Sequence, residues 1–113
     1  MRSQRFSIKL RIRKTGEFKK ILQQGKKIST KSLMIYYLPN RFDYSRLGIS
    51  ISKSAGGAVA RNLRKRWIRE AFRTSPLIRG RGFDIVVLMR NGFNEIDFQS
   101  IQEQLKGAME KLE

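Results

Sequence analysis

Apolar and polar residues change rhythm several times along this chain, and each rhythm predicts an element. In residues 1–14, Phe6, Ile8, Leu10 and Ile12 alternate with a purely basic set of charges: Arg2, Arg5, Lys9, Arg11, Arg13 and Lys14. Such a basic arm either lays its apolar side on the domain or orders further on a partner. Phe18, Ile21 and Leu22 then recur at i, i+3 and i+4, which predicts a short helix. Thr15 is its expected N-cap, because a hydroxyl can accept one of the orphan N–H groups. Gly25 is its expected stop, taken in the left-handed conformation that glycine tolerates. Leu33 to Leu38 is an apolar, aromatic run of strand character, closed by a loop from Pro39 to Ser45. Over residues 46–52, Leu47, Ile49 and Ile51 alternate with Arg46, Gly48, Ser50 and Ser52, a half-buried strand with an unusually small outward face. That face predicts either an ordinary solvated sheet surface or a shallow groove.

A helix is expected from about 57 to 73, ended by Thr74-Ser75-Pro76 and followed by the basic loop Arg79 to Gly82. The continuous apolar run Ile85 to Met89 suits a central strand, with Asn91-Gly92 turning into a last helix over 95–112. There Phe98, Ile101, Leu105, Ala108 or Met109, and Leu112 hold helical spacing. Helix, two strands, helix, strand, helix (α-β-β-α-β-α) predicts a compact α+β fold, a two-layer α/β sandwich, with residues 1–113 forming one domain.

The helix over 57–73 changes the picture most. Between Gly56 and Arg73 lie six basic residues and one acid. At about 100° per residue, Arg61, Lys65, Arg69 and Arg73 form an i+4 row, with Asn62 and Arg66 among them. Leu63, Trp67, Ala60, Ala71 and Ile68 occupy most of the opposite arc, and Arg64 intrudes into it. One side can dock on a core while the other presents a row of cations. Trp67 could stack on a base, but its place on the apolar arc favours the core. Gly56-Gly57 before the helix leaves backbone N–H groups open to a phosphate, or simply makes a tight connection.

Charge sharpens this. The chain of 113 residues carries 25 Lys and Arg against nine acids, a net +16. So large a charge repels itself unless a counter-charge is bound, and nucleic acid is the commonest such partner. An anionic membrane is the main rival, yet no apolar run approaches the roughly 20 residues of a spanning helix, and none follows the basic N-terminus as in a signal peptide. The sequence has no Cys, which excludes disulfides and thiolate sites and fits a cytoplasmic location.

Catalytic chemistry is scarce. There is no His to act as base or ligand. A metal nuclease needs several carboxylates converging on its ions, and the nine acids fall into no such motif. Asp84 and Glu70 could meet in space, but Glu70 is better placed as a local partner of Arg66 or Arg73. Catalytic residues are therefore expected outside this chain, and no metal ligands can be named.

The run Ser52-Lys53-Ser54-Ala55-Gly56-Gly57-Ala58-Val59-Ala60-Arg61-Asn62-Leu63-Arg64-Lys65-Arg66-Trp67-Ile68-Arg69-Glu70-Ala71-Phe72 resembles the signature of the bacterial ribonuclease P protein subunit. The likeness extends through Leu10 to Lys14, Phe18 to Gly25 and Arg46 to Ser52. It implies an α/β sandwich around a small mixed sheet, with a left-handed β-α-β crossover where physics alone would favour a right-handed one. It further implies a protein cofactor of a ribozyme, which binds a catalytic RNA one to one and helps remove the 5′ leader of precursor tRNA with magnesium held mainly by RNA. By matching position, Arg61, Asn62, Arg64, Lys65, Arg66 and Arg69 would face the RNA subunit. Phe18, Tyr36, Ser50, Ser52 and Lys53 would line the leader cleft, and Arg11, Arg13 and Lys14 would add basic contacts.

The chain departs from the signature at Leu63, where a cation is usual, and at Arg64, where an apolar residue is usual. Gly57 and Leu22 are two further departures. The exchange implies that Leu63 joins the core side while Arg64 reaches RNA from the helix edge. A ribosomal protein that binds rRNA structurally is the alternative of the same charge and size. A membrane-surface binder is a third, and it would need large apolar residues on the basic face, where only Phe72 is expected.

Overall fold

The computed structural model describes residues 11–52, 56–75, 82–89 and 97–112. Helix α1 (Thr15–Gln24) is followed by strands β1 (Lys26–Ser29), β2 (Leu33–Pro39) and β3 (Arg46–Ser50). Helix α2 (Ala58–Arg73), strand β4 (Phe83–Met89) and helix α3 (Phe98–Met109) complete the order. The four strands make one mixed sheet in the order β1-β2-β4-β3. β2 lies antiparallel to β1 and β4, whereas β3 and β4 are parallel neighbours joined through α2. The α+β class holds, with one strand more than the pattern predicts. β1 escapes a reading by periodicity because only Ile28 of its four residues is drawn toward the core. Its backbone pairing to β2 makes it a strand, and its lysines suit an exposed sheet edge.

Strand alternation gives the sheet two different faces. Leu33, Ile35, Tyr37, Leu47, Ile85, Val87 and Met89 point to the large core, where α2 supplies Ile68, Ala71 and Phe72 and α3 supplies Ile101, Leu105, Ala108 and Met109. Fully burying an aliphatic side chain such as Ile68, Ile101 or Leu105 contributes roughly 1.5–3 kcal/mol. The opposite face carries a smaller cluster, Ile12, Ile21 and Val86, with Phe18, Tyr36 and Leu88 packed against it. Helix α1 lies on this second face and leaves part of it open.

Several boundaries correct the expectations. Thr15 is the first residue of α1; Lys14 is the N-cap and no side chain caps the helix. Gly25 ends α1 in extended conformation, φ −77°. It must be glycine for a different reason: a Cβ there would lie 2.6 Å from the Ile21 carbonyl oxygen and 2.8 Å from that of Tyr37. β2 runs through Pro39, and α3 is N-capped by the Asp97 carboxylate, which accepts from Ser100 N–H at 2.8 Å. The expected loop at Arg79 to Arg81, the Asn91-Gly92 turn, and Phe6, Ile8 and Leu10 of the arm lie outside the described residues.

Candidate RNA-binding surface

Helix α2 is turned by about 60° from the orientation its hydropathy suggests, at about 100° per residue. Its buried residues are Arg64, Ile68, Ala71 and Phe72, a stripe at i, i+4, i+7 and i+8. Phe72, expected on the basic face, is core. Arg64 is 7% exposed while Leu63 is 40% exposed, so the exchange inferred at these two positions runs the other way. Leu63 faces outward, and Arg64 lies inward with a guanidinium nitrogen beside Gly56. The rotation brings Arg61, Lys65 and Arg69 to the border of the core, and all three are half-buried. Asn62 and Arg66 are exposed on the outside. Trp67 is half-buried and packs against the large core.

The start of α2 is held by its own arginine. Gly56 takes φ 126°, which only glycine adopts at low cost, and Arg61 Nε donates to its carbonyl at 3.1 Å. Gly57 is the N-cap and offers no side chain to the first N–H groups, so these remain suited to an anion.

β3 is an edge strand, and here the two predicted contact regions meet. The arm runs along its outer edge, where Ile12 N–H donates to the Leu47 carbonyl at 2.9 Å. Arm, edge and α2 enclose a concavity of about 210 Å³ lined by Arg11, Arg13, Lys65 and Arg69 together with Phe18 and Gly48. Four cations converge with no acid among the lining residues. Burial, and then the charge of Arg11, lower the pKa of the Arg69 guanidinium below its ordinary value. An anion in the concavity would favour the charged guanidinium and so oppose both effects. Lys14, Arg61, Asn62 and Arg66 do not line it.

Beside the concavity opens the uncovered part of the second sheet face. Strand register sets Lys27, Tyr36, Val86 and Gly48 in one row and Ser29, Met34, Leu88 and Ser50 in the next. Of the predicted cleft residues, Phe18 and Tyr36 converge on the small cluster, and Ser50 sits beside Leu88. Ser52 is exposed just past β3, and Lys53 lies outside the described residues. The Phe18 ring lies directly over Gly48: a Cβ there would stand 2.6 Å from Phe18 Cζ and 3.2 Å from Ile12 Cβ. Gly48 is therefore buried beneath an aromatic ring, and only Ser50 and Ser52 of the three small residues are exposed.

Phe18 is positioned by an ionic clamp that periodicity does not reveal. Arg46 donates from Nε and Nη2 to the two Asp84 carboxylate oxygens at 2.9 and 2.7 Å, and its Nη2 reaches Glu17 at 3.3 Å. Asn40 Nδ2 adds a bond to Asp84 at 2.8 Å. Asp84, and to a smaller extent Glu17, raise the Arg46 pKa well above its ordinary value, against the opposing effect of burial. The clamp ties the first turn of α1, and so Phe18, to the sheet. It also corrects the suggestion that Asp84 meets Glu70. They lie on opposite sides of the sheet, and Glu70 pairs with Arg73 one turn along α2.

Lys27, Met34 and Leu88 belong to this surface and were not foreseen. Lys27 Nζ stands 5.8 Å from the centre of the Tyr36 ring, within cation–π range. Only the β1–β2 register, which periodicity cannot supply, would have revealed it. Among the described residues no three of His, Cys, Asp and Glu group as metal ligands, and no helix is long and apolar enough to cross a membrane. With Glu17 and Asp84 bound to Arg46, these residues do not fit a resident magnesium site.

Comparison with known proteins identifies the family. The sequence model of the family described as Ribonuclease P matches residues 6–113. The ribonuclease P protein component of Clostridium botulinum (strain 657 / Type Ba4) is 38% identical over 102 residues, 89% of this chain and 92% of its own length. That of Thermotoga maritima is 35% identical over 112 residues, 96% of each chain. The solved RNase P protein of Thermotoga maritima superposes with TM-score 0.82 at 36% identity, over 91% of this chain and 97% of that one. The protein from Staphylococcus aureus gives TM-score 0.79 at 34% identity, over 89% and 93%. With a fold and a sequence shared over nearly their whole length, this chain belongs to the ribonuclease P protein family.

Proposed function

We propose that this chain is the RNA-binding cofactor of a ribozyme. It binds the catalytic RNA subunit one to one in the cytoplasm through α2, chiefly Arg61, Asn62, Lys65, Arg66 and Arg69. It holds the single-stranded 5′ leader of precursor tRNA on the open sheet face, between Phe18, Tyr36 and Ser50, with Ser52 and Lys53 as further leader contacts. The RNA supplies the catalytic groups and holds the magnesium ions that cut the leader away. The protein's part is to neutralise phosphates and to position the substrate.

The observation that carries this reading is the concavity at the β3 edge. Its four cations join the helix that would face the RNA subunit to the sheet face that would hold the leader. Aromatic rings and small residues on that face give a strand room to lie flat and bases a surface to stack on. Arg11 and Arg13, which line the concavity from the arm, would then contact backbone phosphates where leader and RNA subunit come together.

Reconstitution tests it. The full chain is mixed with a bacterial ribonuclease P RNA and precursor tRNA at low magnesium, and leader removal is timed. The protein is expected to accelerate it; a rate no higher than that of RNA alone refutes the reading. Replacing Phe18 and Tyr36 by Ala should weaken affinity for leader-bearing precursor and spare leaderless tRNA. Equal losses on both would remove the cleft assignment.

A further inference from the structure

Helix α2 carries a second line of side chains that the cationic row does not explain. Val59, Leu63 and Trp67 follow one another at i, i+4 and i+8, so they form a continuous ridge. Val59 is 85% exposed and Leu63 40% exposed. Trp67 is half-buried, its inner part packed on the large core. The ridge runs along the flank of α2 away from Arg61, Lys65 and Arg69. Between the two flanks stand Asn62 and Arg66, both exposed.

From this placement we infer that the Val59–Leu63–Trp67 ridge receives an unstacked base of the RNA subunit. The inference rests on the reading that α2 binds that RNA. Any partner covering the ridge also meets the exposed Asn62 and Arg66, while Glu70 on the same flank is already paired with Arg73, so a partner with negative charge and a flat apolar surface fits best. A nucleotide does both: its phosphate suits Arg66 and its base face suits Val59 and Leu63. A second copy of this chain does not, because a two-fold contact at the ridge would bring Arg66 close to its own copy between proteins of net charge +16. The contact is apolar, so it adds affinity without adding to the number of phosphates neutralised.

That last property gives the test. Full-length Val59→Ser/Leu63→Ser protein is titrated against a bacterial ribonuclease P RNA over a range of KCl concentrations. Expected is binding about tenfold weaker at every salt, the loss expected from removing one apolar cover, with an unchanged slope of log K against log salt. Val59 is largely exposed and Leu63 is 40% exposed, so the melting temperature should fall by only a few degrees. Leu63→Met should keep wild-type affinity; a loss as large as with Ser would overturn the inference by showing that the effect is not apolar cover. Trp67 is the only Trp in the chain, so RNA should quench its fluorescence in the wild type and quench it less in the double variant.

The Arg61→Ala/Lys65→Ala/Arg66→Ala protein separates the two readings. If it binds weakly with a flattened salt slope while the double Ser variant binds like wild type, the ridge assignment falls and the function stands. If neither set changes binding, the assignment of α2 to the RNA subunit falls first. Wild-type dimers, or wild-type binding to anionic lipid vesicles, that the Ser variant abolishes with RNA affinity intact would overturn the inference and give the ridge to a second copy or to a membrane instead.

Discussion

Gly48 tests whether Phe18 is held where a leader could use it. The substitution Gly48→Ala adds one methyl group directly beneath the ring, 2.6 Å from Phe18 Cζ and 2.9 Å from Cε2. Glycine inside a strand costs about 0.5–1 kcal/mol relative to alanine, so on open sheet the change would stabilise. Here overpacking opposes it at about 1–3 kcal/mol. The net expectation is a loss of about 0.5–2 kcal/mol, a fall of roughly 2–8 °C in melting temperature. In a Phe18→Ala background the ring is gone, and of the three nearest atoms only Ile12 Cβ, at 3.2 Å, remains. There Gly48→Ala should be neutral or slightly stabilising. A double-mutant cycle by urea denaturation should therefore return a coupling of about 1–2 kcal/mol. The single Gly48→Ala variant should also lose affinity for leader-bearing precursor over leaderless tRNA, because the ring must swing out of place. A cost of Gly48→Ala that is the same in both backgrounds refutes the reasoning, since the clash would then not be with Phe18.

Other consequences follow from the same coordinates. Arg46→Met should cost about 2–3 kcal/mol in urea denaturation, because Asp84 loses both of its guanidinium bonds while largely buried; adding Asp84→Asn should recover part of it. Gln104→Ala should cost about 1–3 kcal/mol, because Gln104 Oε1 accepts from Thr30 Oγ1, Ser32 N–H and Ser32 Oγ at 2.6, 2.9 and 3.0 Å and Ser32 is buried. The Glu70 pKa is held below its ordinary value chiefly by the hydrogen bond from Arg73, so the pair's small contribution is complete above the ordinary carboxylate pKa and fades as pH falls through the lowered one. In Glu70→Gln that acid-side dependence should be absent from melting curves taken between pH 6 and about pH 3. Arg64→Met should leave the salt slope of RNA binding unchanged, whereas Arg66→Met should reduce it by about one; equal slopes for the two would contradict their opposite burial.

The elements that sequence makes legible are those whose side chains repeat against one core. β2, β3, β4, α2 and α3 all do so, and their positions follow from period alone to within a residue or a few. β1 does not, because backbone pairing makes it a strand and only Ile28 marks it. The site divides in the same way. Phe18, Tyr36 and Ser50 come through the family signature, and the structure brings them to one face. The clamp that places Phe18 joins residues far apart in sequence, Glu17, Asn40, Arg46 and Asp84, and only the register of β3 on β4 brings Arg46 beside Asp84. No local pattern encodes that register. The same holds for the concavity, where the arm and a helix each supply two cations that look unremarkable alone and a strand edge brings them together.

Helix α2 shows why hydropathy can aim a helix wrongly. Averaging over its apolar residues points the buried side at Leu63 and Trp67, since both are large. The actual core direction is set by where Ile68, Ala71 and Phe72 can all reach the sheet at once. Their stripe passes through position 64, so an arginine is carried inward while its neighbour leucine is left outside. An arginine can accept this because its stem is apolar and its head can reach the polar backbone at the start of the helix. A leucine facing outward costs little in a monomer and repays it only when something flat covers it. The exchange of residue types at 63 and 64 is thus not a neutral swap within one face. It removes one cation from the outward side of α2 and puts apolar surface in its place, and binding to RNA should lose salt dependence there while keeping affinity.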